Sequence, residues 1–244
     1  MPCVSPIRAI LFDKDGTLID FQKSWEPVTR SLAEFAAGGD PVLTDHLLRV
    51  GGMDPDTGRT AADSLFAAAS NDLIAEAMVV AGAVVPVAQL VETFDRIAAQ
   101  SVDHHVPVCD LSQLFSSLRA AGYLIGIASS DAELSIRALV DRFELGEHLA
   151  FVCGYDSGHG EKPQPGMLLA FAKAIGVEPH EVAMVGDNLH DMHMARDAGA
   201  GLKVSVLTGT GTRELLEPES DVCLAGVEEL PVMLSRRSAL SSKT

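Results

Sequence analysis

Positive charge is scarce in this sequence. Its 244 residues carry 18 Lys and Arg against 34 Asp and Glu, a net charge of −16. So acidic an envelope repels nucleic-acid backbones and anionic lipid, which excludes a broad nucleic-acid interface and a membrane-surface role. It leaves room for an anionic substrate, because a bound divalent cation makes a site locally positive. Cysteine is sparse as well. Cys3, Cys109, Cys153 and Cys223 lie far apart with no C-x-x-C pair, which excludes a disulfide framework and a thiolate zinc site. All four are expected as reduced thiols, two or three of them in the core. Long apolar runs are missing. The most apolar stretch, 77–88, contains Gly82 and Pro86 and is too short to cross a bilayer. The run that ends at Asp13 is too short for a secretory signal core. These features predict a soluble, cytoplasmic protein.

What is present is a globular composition, 47% apolar and 21% charged. Short, nearly continuous apolar runs at 7–12, 123–128, 150–153, 182–185 and 202–207 suit strands covered on both faces. Amphipathic stretches at 110–121, 131–143 and 165–175 separate them. Asp110 and Gln113 offer a helix start, and Gly122 and Gly176 offer stops. Strands alternating with helices predict a three-layer α/β fold, a Rossmann-like parallel sheet. Between about 21 and 105 the alternation fails. That interval reads as four helices, near 24–37, 42–50, 61–81 and 87–101, inserted after the first strand. The expected division is a core of 1–20 and 106–244 with an all-helical cap domain of 21–105.

In a parallel sheet, ligands bind beyond the carboxyl ends of the strands. Four of the five predicted strand ends deliver a reactive group. Asp13-Lys14-Asp15-Gly16-Thr17 follows the first, Ser129-Ser130-Asp131 the second, a glycine-rich loop with Lys162-Pro163 the third, and Gly186-Asp187-Asn188-Leu189-His190-Asp191 the fourth. One Asp after a strand is ordinarily a helix cap; four such ends in this order ask for another explanation. Asp13 and Asp187 are hard oxygen ligands suited to Mg²⁺. Lys162 and Ser129 suit phosphoryl oxygens. A carboxylate nucleophile at Asp13, with Asp15 as general acid and base, would split a phosphoryl transfer into two steps. Gly16 permits a tight turn.

Asp13-x-Asp15-Gly16-Thr17-Leu18, Ser129, Lys162-Pro163 and Gly186-Asp187-x-x-x-Asp191 together resemble the four motifs of the haloacid dehalogenase superfamily, phosphoglycolate-phosphatase-like members in particular. The resemblance implies a phosphatase of small phosphorylated metabolites using Mg²⁺. Asp13 matches the nucleophile and a metal ligand, Asp15 the acid/base and a metal ligand through its carbonyl, Asp187 the second metal carboxylate. Ser129 matches the hydroxyl that orients phosphate and Lys162 the charge clamp. Asp191 matches a supporting carboxylate. The implied substrate is phosphoglycolate-like or a sugar phosphate. Two alternatives stay open, a phosphomutase similar to β-phosphoglucomutase and a non-catalytic binding protein on the same scaffold.

Other residues carry both a functional and a plain reading. Asn188 is a candidate to hold a metal-bound water. Gly16, Ser130, Arg59 and His159 are candidates for substrate contact, with Arg59 and His159 otherwise solvated loop residues. Trp25 either walls the pocket or anchors helix packing. His104 and His105 fit a linker, and His190 and His193 are expected at the surface. Lys14 stands where the family usually has an apolar residue, and its side chain is expected to point away from the site.

Overall fold

The fold was obtained as a computed structural model that describes residues 6–62 and 64–241. Six parallel strands form one sheet in the order β3-β2-β1-β4-β5-β6. They are β1 (Ala9–Phe12), β2 (Leu124–Ala128), β3 (Leu149–Cys153), β4 (Val182–Gly186), β5 (Leu202–Val206) and β6 (Val222–Leu224). All four residues of β1 are buried, because it lies between β2 and β4 and both of its faces are covered. Ile10 and Phe12 face one layer, formed by α6 (Leu111–Ala120), α7 (Glu133–Arg142) and α11 (Leu230–Ser241). Ala9 and Leu11 face the other, formed by α8 (Gly166–Ile175) and α9 (Leu189–Ala198). A short α10 (Arg213–Leu216) follows β5. The three-layer parallel architecture expected from the sequence is the one observed.

Between β1 and α6 the chain makes α1 (Phe21–Ala36), α2 (Pro41–Gly51), α3 (Leu65–Ala68), α4 (Asn71–Val80) and α5 (Val87–Gln100). They bury an apolar cluster of their own, running from Phe21 through Leu32, Leu47 and Met78 to Ala98. Asp20 starts α1 by accepting a hydrogen bond from the Lys23 amide at 3.1 Å, and Asp40 caps α2 in the same way through Val42 at 2.8 Å. At Gly51 the missing Cβ matters. One placed there would lie 2.0 Å from the Phe66 ring, so the glycine lets α3 and its phenylalanine settle against α2. The insert meets the sheet layers where α5 packs on α7.

Three expectations need correction. The helix read at 61–81 is two pieces, because Ala69 and Ser70 are extended and Ser70 occupies the cap position of α4. Strand β6 went unread, being a three-residue edge strand that is only partly buried and shows little apolar signature. Of the described cysteines only Cys153 is buried. Cys109 precedes α6 and Cys223 sits on the edge strand, both half-exposed; Cys3 lies outside the described residues. No helix among the described residues is long and apolar enough to cross a membrane.

The junction of β1 and α6 offers a direct check on the core. Phe115 is fully buried and stacks on Phe12 with ring centroids 5.3 Å apart. Phe115→Ala should cost about 3–5 kcal/mol of unfolding free energy, read as a lower urea midpoint with an unchanged slope.

Candidate active site

The sheet order changes direction at β1, with β2 on one side and β4 on the other, and the crevice opens beyond their carboxyl ends. Here the chain leaves the ladder as the Asp13 amide donates to Val185 O at 2.8 Å. The turn that follows needs Gly16, which has φ +80°; a Cβ there would lie 2.4 Å from Asp187 Oδ2. The loop after β5 supports the same turn, because the Thr208 hydroxyl donates to Gly16 O at 2.6 Å and the Thr210 amide donates to Asp187 Oδ2 at 2.8 Å.

Asp13, Asp187 and Asp191 converge, each offering a carboxylate oxygen within 4.8 Å of the others, and all three are buried. Lys162 Nζ bridges two of them, at 2.5 Å from Asp13 Oδ1 and 2.7 Å from Asp191 Oδ1. One ammonium does not balance three carboxylates. Burial, with Asp191 and Asp15 adding repulsion against the pull of Lys162, pushes the Asp13 carboxyl up to about 7. Asp187 is raised well above the usual carboxylate range by burial and then by Asp13 and Asp191. Burial opposes the Lys162 ammonium, but Asp13 and Asp191 outweigh it and hold its pKa above normal. A compact all-oxygen acidic donor set of this kind fits a hard divalent cation. Asn188 starts α9, its side chain accepting from the His190 amide at 3.1 Å while its own amide donates to Asp191 Oδ2 at 3.2 Å. Its buried Nδ2 has no protein partner among the described residues, so that donor is left for a ligand.

Asp15 stands on the other side of Asp13 in a second polar knot. It accepts from Trp25 Nε1 at 2.5 Å and, more loosely, from the Ser129 hydroxyl at 3.4 Å. Lys14 overturns its expectation. Its side chain does not leave the site; it is fully buried, with Nζ 2.9 Å from both Asp15 Oδ1 and Asp131 Oδ2 and 5.0 Å from the centre of the Trp25 ring. Two carboxylates and an indole face replace the water that a lysine ordinarily seeks. Burial raises the Asp15 pKa and Lys14 offsets part of that rise. His105, expected as linker, is buried 6.0 Å from Trp25, and burial followed by Lys14 pushes its pKa down to about 3.

A cavity of about 50 Å³ joins these groups to the helical insert. Asp13, Asp15, Ser129, Ser130, Lys162, Asp187, Asn188 and Asp191 all line it, whereas Gly16 lies just behind Asp187. Arg59 and His159 do not reach it. Both are exposed, Arg59 in the loop beyond Gly58 and His159 with its ring 6.3 Å from Phe151. His190, expected at the surface, is half-buried on the cavity wall. Trp25 satisfies both of its readings, since it lines the cavity and packs edge-on against Phe94 at 5.9 Å. Sequence reasoning missed Asp131 as a partner, although it stands directly after Ser129-Ser130, and missed the insert's wall around Phe66 and Phe94. Above the cavity, Asp95 of α5 accepts from Asn71 Nδ2 at 2.5 Å and from the Tyr155 hydroxyl of the core at 3.3 Å, which ties insert to core.

A family model described as haloacid dehalogenase-like hydrolase matches residues 7–199. The chain belongs to this family. Relatives include an N-acetylmuramic acid 6-phosphate phosphatase of Pseudomonas putida, 25% identical over 79% of this chain and 80% of that one. A phosphoglycolate phosphatase of Nitrosospira multiformis is 24% identical over 96% and 98%. In fold, the chain is similar to a hydrolase from Pseudomonas syringae, with TM-score 0.70 and 20% identity over 95% of this chain and 99% of that one. The family's description makes the chain a haloacid dehalogenase-like hydrolase.

Two outcomes check the site's electrostatics. Without a divalent cation, native Asp13 binds its proton more tightly than the unfolded chain does. Its contribution to stability is therefore full below about pH 4 and lost as the pH rises through about 7. A divalent cation should accordingly raise Tm clearly at pH 8 and little at pH 4, as followed by calorimetry. Lys14→Met leaves Asp15 and Asp131 buried without their shared cation and should cost about 3–5 kcal/mol at neutral pH, measured by denaturant unfolding.

Proposed function

We propose that the protein hydrolyses small phosphomonoesters in a Mg²⁺-dependent reaction through a phosphorylated Asp13. The observation that carries this reading is the buried convergence of Asp13, Asp187 and Asp191 around one lysine, at the end of β1. Asp13, Asp187 and the Asp15 carbonyl would hold the cation, with Asp191 and Asn188 supporting it. Bound there, Mg²⁺ neutralises the carboxylates and the incoming phosphoryl group.

An Asp13 carboxylate oxygen attacks phosphorus as the ester P–O bond breaks, and the Asp15 carboxyl gives its proton to the departing alkoxide oxygen. The Trp25, Lys14 and Ser129 contacts fix Asp15 at that post. Lys162 and the Ser129 hydroxyl hold the phosphoryl oxygens. Asp15 then takes a proton from the water that attacks the phosphorylated Asp13, releasing inorganic phosphate and restoring the carboxylate. Residues 21–105 act as a cap whose movement admits substrate and whose closure excludes bulk water. The relatives' names point to phosphorylated carboxylic acids and sugars as starting classes of substrate.

Release of p-nitrophenol from para-nitrophenyl phosphate tests this directly. Turnover should require Mg²⁺ and stop with EDTA, and Asp13→Asn and Asp187→Ala should each lose about 10⁴-fold or more in kcat. Turnover that ignores EDTA or persists in Asp13→Asn would remove the mechanism.

A further inference from the structure

The cap side of the cavity differs in kind from the core side. It is walled by Phe21, Trp25, Phe66, Ile74 and Phe94, each at most 9% exposed. Its polar groups are Thr29 and Asn71, both uncharged. Asn71 gives one N–H of its amide to Asp95 at 2.5 Å and keeps a second N–H and its carbonyl oxygen, both neutral. Such a neutral amide can serve a hydroxyl as donor or acceptor, but it supplies no charge to balance a carboxylate. Among the described residues lining the cavity, Lys162 is the one with a permanent positive charge, and it already spans Asp13 and Asp191. Against it stand Asp13, Asp15, Asp131, Asp187 and Asp191. One lysine and one divalent cation suffice for a single phosphoryl group. They leave no second positive charge for an anion on the leaving group, which would meet an apolar wall without a countercharge. Arg59, which a second anion would need, stands exposed outside the cavity.

We infer that the substrate is the monophosphate of an uncharged alcohol that presents apolar surface to the aromatic cap wall, and that Phe66 is a specificity-determining residue for it. This rests on the phosphatase reading and narrows it, setting aside phosphoglycolate and sugar bisphosphates. The aromatic wall favours flat apolar faces over charged ones, and Phe66 is held there through contact with Gly51.

The test is steady-state kinetics of the full chain with Mg²⁺ on ethyl phosphate, benzyl phosphate and phosphoglycolate, with para-nitrophenyl phosphate as the general probe. Ethyl phosphate and phosphoglycolate have matched carbon chains and differ by the carboxylate. The expected result is kcat/KM for ethyl phosphate about 100-fold above phosphoglycolate, with benzyl phosphate higher still. Phe66→Ala should lower kcat/KM for benzyl phosphate about tenfold, chiefly through KM, with little change for ethyl phosphate. Phe66→Leu should restore most of it. Phosphoglycolate turned over as well as ethyl phosphate, or a Phe66→Ala loss equal for both alkyl esters, overturns this inference while the phosphatase reading stands. No turnover of any of the four esters overturns both together.

Discussion

Buried negative charge in excess of its partners is the constraint on which this structure turns. Asp13, Asp187 and Asp191 come together with a single lysine between them. Each is held there by the backbone rather than by choice of rotamer. Asp13 leaves β1 tied to β4, Asp187 is gripped by the Thr210 amide, and Asp191 is fixed by the first turn of α9. A fold optimised for stability alone would not gather three carboxylates in a buried crevice, and the raised pKa values of Asp13 and Asp187 record the cost. Such an arrangement is useful when a hard cation and a phosphoryl group complete it.

The sheet explains why the charges meet. Because β1 sits between β2 and β4, the loops leaving those three strands open on the same crevice, and β3 and β5 supply Lys162 and Thr210 from the flanks. The three central strands β1, β2 and β4 are apolar to their last residue and then turn polar at once, as in Phe12-Asp13, Ala128-Ser129 and Gly186-Asp187. This abrupt change is visible in the sequence, which is why Asp13, Asp15, Ser129, Asp187 and Asp191 are legible as candidates without coordinates, while Lys162 reads from the glycine-rich loop after β3. Their order along the chain also matched a family pattern.

What was not legible depended on contacts between segments far apart in sequence. Lys14 reads as a surface residue because an isolated lysine costs too much to bury; only with Asp131 brought up from β2 and Trp25 from α1 does its burial make sense. The break at Ala69-Ser70 was hidden in an alanine-rich stretch of good helix formers, yet it allows Phe66 and α3 to fold over the site. Arg59 and His159 carried suitable chemistry but no positional signal, and the fold leaves both in solvent. Strand β6 was too short to announce itself.

The insert follows β1 directly, and this placement separates two tasks. The core side of the cavity carries the charged groups, fixed by sheet geometry. The cap side carries the apolar wall, fixed by packing among helices that bury their own cluster. Trp25 belongs to both, packed in the insert through Phe94 while its indole nitrogen donates to Asp15. Residues such as Phe66 and Ile74 can therefore change without disturbing the carboxylates, whereas Trp25 cannot. On the proposed function, the chemistry and the choice of leaving group would be written on different elements, so that likeness in the core alone says little about the substrate.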